Sequence, residues 1–267
     1  MNPSLKMYTN LASWFHLLTR PEEYAEEAAF YHATLLAAGI PDGSTLLELG
    51  SGGGNNASHL KRHYRMTLVD LSPDMLALSQ TLNPELEHLP GDMRSARLGR
   101  TFDAVFIQDA ICYMTSEADL LQTFITAYTH CRPGGVALFH PDVTRETFQP
   151  GTDHGGSDAP GGSDAPGGSD AAGGSDAPIS GLRYLEWTFD PDPDDSRYTT
   201  DFAYLLHLPD GSLHGDYERH ELGLFPTQTW LDLIRQAGFE AQAIPFVHSE
   251  LPPGSSTLFL GRKPDNQ

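Results

Sequence analysis

An acid set against a glycine run, Glu48-Leu49-Gly50-Ser51-Gly52-Gly53-Gly54-Asn55, is the first arrangement in this chain that could do chemistry. Glycine turns let backbone approach a ligand closely and aim amide N–H groups at it. Gly50, Gly52 and Gly54 spell G-x-G-x-G. The dinucleotide fingerprint G-x-G-x-x-G needs its third glycine where Asn55 stands, and the phosphate-loop sequence is absent. Glu48 beside the turn suits a cationic or amine-bearing ligand better than a pyrophosphate. Asp70 comes twenty residues beyond Gly50, where a carboxylate can accept both hydroxyls of a ribose. Asp92, in Pro90-Gly91-Asp92-Met93, can accept from an adenine amino group. Each aspartate also reads as an ordinary loop or cap carboxylate.

The elements that must position these groups follow from apolar periodicity. Short buried runs at 45–49, 66–70, 102–108 and 136–140 predict strands, and a short third strand precedes Pro90. Helices are predicted at 21–38, 55–63, 73–82 and 116–130, with Ser72 as N-cap and Pro73 at the first helical position. Alternating strands and helices imply a parallel sheet with right-handed crossovers, an α/β doubly wound fold. The rhythm then changes. Runs at 183–189, 198–208 and 212–222 predict an antiparallel meander, its last two strands joined at Pro209-Asp210-Gly211. A helix at 226–237 and strands at 240–247 and 257–262 close the chain. A meander inserted there lies at the carboxyl edge of the parallel sheet, where open α/β sheets bind ligands.

Charge excludes several partners. The 267 residues carry a formal net charge of −20, and 153–195 sets ten acids against Arg183 alone. No basic stripe suits duplex nucleic acid or anionic lipid, and Lys61, Arg62, His63 and Arg65 read as a solvated helix end. Four hexapeptides, GGSDAP twice, GGSDAA, then GGSDAP, fill 155–178 and predict a flexible loop, too polar to offset the entropy of ordering it. Cys112 and Cys131 lie in apolar segments and read as buried thiols. No secretory h-region and no bilayer-length apolar run occur, so a cytoplasmic protein is expected. No metal is expected: His59 and His63 are four apart on a helix without an accompanying ligand, and 190–195 lacks the glycine and glutamate of a calcium loop.

The segments ELGSGGG (48–54), VDLSPDML (69–76), GDM (91–93), FDAVFIQD (102–109) and RPGGVALF (132–139) together resemble the class I S-adenosylmethionine-dependent methyltransferases. The resemblance implies a Rossmann-like, seven-stranded sheet with a reversed last strand, plus the β-meander insertion. It implies S-adenosyl-L-methionine as cofactor, held by Glu48, Gly50, Gly52, Gly54, Asp70 and Asp92 with Tyr8, Leu71, Met75, Met93 and Gln108. The tail at 220–241, and Tyr8 before the first long helix, are similar to the small-molecule branch that includes glycine N-methyltransferase and the nucleotide-aminosugar N,N-dimethyltransferases. A single domain over 1–267 is expected: a helical cap (1–40), a cofactor-binding core (41–149), the repeat loop (150–181), the meander over the active site (182–224) and the closing helix and strands (225–267).

Such a protein would move the sulfonium methyl to an amine or hydroxyl of a small acceptor. The leaving group is a neutral thioether and needs no acid. Alignment therefore matters most, with a base to deprotonate the acceptor. Asp109, Tyr113 and His140, at the carboxyl ends of central strands, are the catalytic candidates; Asp142 and His220 could reach the same pocket. Trp14, Phe15, Trp187 and Phe225 read as acceptor-pocket wall or core. Two alternatives stand beside this reading, a non-catalytic S-adenosylmethionine-binding protein and a nicotinamide-dependent oxidoreductase. Homodimerisation and the choice between N and O stay open.

Overall fold

A computed structural model describes residues 5–159 and 180–265. Most of the repeat array lies outside the described residues. Within them, two sheets divide the work. The first has seven strands: β1 (Thr45–Leu49), β2 (Arg65–Asp70), β3 (Glu87–Pro90), β4 (Phe102–Gln108), β5 (Cys131–His140), β10 (Glu240–Pro245) and β11 (Thr257–Arg262). Their order is β10-β11-β5-β4-β1-β2-β3, parallel through β5-β4-β1-β2-β3. The last strand, β11, slots antiparallel between β5 and β10. The reversed last strand and doubly wound sheet match the expectation.

Helices cover both faces. α1 (Phe15–Leu18), α2 (Ala25–Ala37), α3 (Asn55–Leu60), α4 (Pro73–Leu82), α5 (Glu117–His130) and α6 (Thr227–Gln236) follow in chain order. Ser72 caps α4 by accepting from Met75 N at 3.2 Å, and Ser116 caps α5 through Asp119 N at 3.2 Å. Side-chain alternation then sorts the strands' residues between two cores. Leu47, Leu49, Val105, Ile107, Ala137 and Phe139 pack beneath Phe124 of α5 and Trp230 of α6. Leu46, Ala104, Phe106, Val136 and Leu138 pack beneath Tyr31 and Leu35 of α2. Both cysteines are buried free thiols. Phe225 belongs to the first core, whereas Trp187 is exposed on the outer face of the second sheet.

That second sheet has four strands where the sequence suggested three: β6 (Gly151–Gly155), β7 (Gly181–Phe189), β8 (Arg197–His207) and β9 (Leu213–Gly223), in the order β6-β7-β8-β9. The expected loop over 150–181 is therefore corrected at its start. Gly151–Gly155 pairs with β7. The first hexapeptide is also held: Ser157 N and Oγ donate to Leu17 O at 2.8 and 3.0 Å, and Ala159 N donates to Ser180 O. These partners lie far off in sequence, which is why composition alone missed them. Among the described residues, no helix is long and apolar enough to cross a membrane.

Candidate active site

One side of the site is built where β1, β2 and β4 end. The turn after β1 holds Gly50 at φ +72°, and a Cβ there would lie 2.4 Å from Ala110 Cβ and 2.9 Å from Met93 Cε. Only glycine meets both demands. Asp70, 3% exposed at the end of β2, accepts from Gly52 N and Ser72 N, each at 2.8 Å. One carboxylate thus braces the glycine turn and the start of α4 while facing the cavity. Burial raises its pKa against those backbone donors. Glu48 is 5% exposed, its Oε2 has no hydrogen-bond partner, and burial with the nearby Asp70 and Glu27 pushes its pKa up to about 8. A carboxyl left without a partner beside a glycine turn is a ready receptor for an ammonium group.

These residues line a cavity of about 370 Å³ with Tyr8, Phe15, Asn55, Met75, Gln108 and Asp109. Gln108 is oriented by Asn56, whose Nδ2 donates to its Oε1 at 3.1 Å. A second cavity of about 410 Å³ opens under the four-stranded sheet, walled by Asp142, Asp153, Tyr198, Thr200, Tyr204 and His220. Tyr8, Leu18, Asp109, Tyr113, Glu186 and Phe202 line both cavities, so the two spaces meet at these side chains.

Chemistry concentrates at that junction. Asp109 has φ 46°, the only positive φ outside glycine among the described residues, a strained conformation that carries its carboxyl to the end of β4. Burial raises its pKa, and its carboxyl hydrogen-bonds that of Asp142. Asp142 is raised well above the usual carboxylate range by burial and by Asp109. In such a pair the charge on one carboxyl opposes ionisation of the other. Across the junction runs a hydrogen-bonded chain: Tyr8 Oη to Tyr113 Oη at 2.7 Å, then Tyr113 Oη to His220 Nδ1 at 2.7 Å. His220 Nε2 lies 3.1 Å from Glu218 Oε1 without the alignment of a hydrogen bond. Glu218 is itself fixed by Tyr204 Oη at 2.9 Å and Lys6 N at 2.6 Å.

The structure brings together Tyr8, Glu48, Gly50, Gly52, Asp70, Met75, Gln108, Asp109 and Tyr113, with Asp142 and His220 beside them. Leu71, Asp92 and Met93 flank a narrow cleft that shares Gly50 with the main cavity. There Asp92 is engaged by Arg94, whose Nη2 donates to Oδ2 at 2.6 Å, so it is an ion-pair partner as it stands. Gly54 is corrected: it opens α3 and packs on α4, where a Cβ would meet Ser79 Oγ at 2.3 Å, and it does not line the cavity.

His140 is also corrected as a base. Tyr31 Oη lies 2.5 Å from its Nδ1 and Ser256 Oγ 2.8 Å from its Nε2, beneath α2, and burial lowers its pKa to about 3. It lies on the α2 face with Leu138, and with both ring nitrogens engaged there it lines neither cavity. His59 and His63 also part: His59 Nε2 meets Pro21 O at 2.7 Å. His63 stacks on His32 at 3.7 Å beside Asp42, near the amino-terminal ends of β1 and β2.

Sequence reasoning missed Glu186, Phe202, Tyr184, Asn56 and Gly53. Gly53 carried a usable signal, being glycine inside the run: a Cβ there would lie 2.8 Å from His16 Nε2, which contacts Gly53 O at 3.1 Å. Glu186 and Phe202 had none, because meander strands reveal which face is inward but not what that face covers.

The fold and this junction define a class. The fold is that of the class I S-adenosylmethionine-dependent methyltransferases, and residues 46–135 match the family of the methyltransferase domain. Among curated proteins, the chain is 33% identical over 136 residues to the dTDP-3-amino-3,4,6-trideoxy-alpha-D-glucopyranose N,N-dimethyltransferase of Streptomyces venezuelae, covering 50% of this chain and 57% of that one. The chain thus spans little more than half the length of that relative. Among solved structures, Streptomyces venezuelae DesVI superposes with a TM-score of 0.75 at 21% identity, over 95% of this chain and 98% of that one. CalS10 with S-adenosylmethionine bound, an amino pentose methyltransferase from Micromonospora echinaspora, superposes at 0.71 with 20% identity, over 98% and 99%. S-adenosylmethionine is the cofactor of this class, and the partnerless Glu48 Oε2 beside a glycine turn fits its amino group.

Proposed function

We propose that the protein transfers the methyl group of S-adenosylmethionine to an amine of a small-molecule acceptor in the cytoplasm. The observation that carries this reading is the meeting of two cavities at Tyr8, Asp109 and Tyr113, one lined by the glycine turn and one by the meander. The similarity to a sugar N,N-dimethyltransferase supports an amine over a hydroxyl acceptor.

The cofactor, when bound, supplies an activated methyl on a sulfonium. Glu48 would hold its amino group, Asp70 its ribose, and Met75 and Gln108 its flanks. The chain's remaining task is to present a neutral amine in line with that methyl, where orientation is worth roughly 7–11 kcal/mol. Tyr8 and Tyr113 position the amine through their hydroxyls, which burial keeps protonated. The Asp109–Asp142 pair accepts the amine proton, its affinity for protons raised by burial. Cys112 Sγ accepts from Asp142 N at 3.2 Å and steadies that backbone.

Titration calorimetry with S-adenosylmethionine, S-adenosylhomocysteine and NADH, followed by thioether release with an amine and hydroxyl panel, tests this. Micromolar binding of the first two and turnover of amines is expected. NADH binding alone would sink the proposal, and binding without any turnover would leave only a cofactor-holding protein.

A further inference from the structure

The curated relative's name specifies an acceptor bearing a thymidine diphosphate. A buried diphosphate needs cationic partners, since uncompensated charge in a cavity is strongly disfavoured. Here no lysine or arginine lines either cavity. Residues 1–4, 160–179 and 266–267 contain none to add. Cations near the second sheet are already engaged: Lys6 with Asp216, Arg183 with Asp158, Arg219 with Asp201, and Arg145 with the carbonyls of Pro193, Asp195 and Leu224.

The acceptor cavity has the opposite character. Asp109, Asp142, Asp153 and Glu186 line it, and among the described residues none of them forms an ion pair with lysine or arginine. Aromatic rings of Tyr8, Tyr113, Tyr198 and Phe202 complete the wall, and ring faces attract ammonium groups. His220, on the same wall, is already taken up, with Nδ1 on Tyr113 Oη at 2.7 Å and Nε2 3.1 Å from Glu218 Oε1. Glu186 projects from the inward face of β7 to both cavities, a second anionic anchor beside the Asp109–Asp142 pair.

We infer that the acceptor is a phosphate-free amine carrying a second cationic group, with the reacting nitrogen at Asp109 and Tyr113 and the second cation at Glu186. This rests on the methyl-transfer reading above and departs from the phosphorylated acceptor of the relative.

The test gives the full chain and S-adenosylmethionine three acceptors that share one reacting amine. They are dTDP-3-amino-3,6-dideoxyglucose, the methyl glycoside of that amino sugar, and the methyl glycoside of its 3,6-diamino analogue. The expected kcat/KM rises in that order, by about tenfold from the second to the third, the loss or gain of one charge-assisted contact. Glu186→Gln should raise KM about tenfold more for the diamine than for the monoamine glycoside. A structural role alone would move both alike, and that result would overturn the assignment, as would preference for the diphosphate. If none is methylated, calorimetry on the protein loaded with S-adenosylhomocysteine decides: the diamine must bind and the dTDP sugar must not, and any other pattern overturns the proposal. Failure of S-adenosylmethionine to bind would instead overturn the methyl-transfer reading itself.

Discussion

The two halves of the site are made in different ways. On the cofactor side, Glu48, Gly50, Asp70 and Gln108 sit at the ends of neighbouring parallel strands, and their geometry follows from strand register and one glycine turn. On the acceptor side, Tyr8, Tyr113, Glu186 and His220 come from four segments that are far apart in sequence and share only an inward face. The first half is a backbone device, and the second is a side-chain assembly. The difference teaches where the site can change: side chains under the meander can be exchanged without touching the sheet that carries the glycine turn.

If that division is right, variants should separate chemistry from cofactor binding. The largest effect is expected for Asp109→Asn, which keeps the shape but removes the proton acceptor. Methyl transfer should fall about 100-fold or more, with cofactor affinity changed only a few-fold. Single-turnover rates beside calorimetry measure both, and an equal loss in the two would break the division. Next comes Asp70→Ala, expected to weaken S-adenosylmethionine binding by about 1.5–3 kcal/mol. Unchanged affinity in a folded variant would remove Asp70 from the cofactor side.

His140→Ala should lower stability by about 1–3 kcal/mol, because Tyr31 Oη loses a buried partner, and leave kcat within about twofold. Denaturant unfolding and steady-state kinetics test it, and a large fall in kcat at full folding would return His140 to the chemistry.

Glu48 sharpens the comparison through pH. Its folded pKa of about 8 exceeds the ordinary 4.5, so the folded state binds the extra proton between those values. Its contribution to stability therefore falls as pH rises from about 4.5 to 8. Glu48→Gln should flatten the decline of unfolding free energy across that window, an effect of up to several kcal/mol at about 1.4 kcal/mol per pKa unit. A wild-type curve that is not steeper than the variant's would contradict the burial of an unpartnered carboxyl. The smallest effect is expected from deleting residues 161–172, two of the hexapeptides, because lengthening or shortening a loop costs only about 0.6 kcal/mol per doubling. A loss of several degrees in Tm would show those repeats to be structural.

The legible part of this protein is the local part. Strand ends, caps at Ser72 and Ser116, the glycine turn and its acids are all set by neighbours within a few residues, and periodicity exposes them. His140 was not legible in this way: it shares the α2 face with Gln108, which lines the cavity, and only its partners Tyr31 and Ser256 set it apart. Nor was Gly54: that α4 fills the space beside it is not written in the turn.

By itself, then, the sequence determined the doubly wound core, because strand and helix periodicity and a glycine turn are governed by short-range sterics, while its resemblance to a known family supplied the reversed final strand and the class of cofactor. Tertiary structure alone decided the rest. It added β6 to the meander, anchored Ser157 on Leu17, and closed the Tyr8–Tyr113–His220 chain. It also left a cavity under the meander lined by acids, with no lysine or arginine among the described residues that line it. Apart from the β6–β7 pairing, those contacts join residues more than a hundred positions apart, and only the packing of one sheet over the other determines which side chains meet.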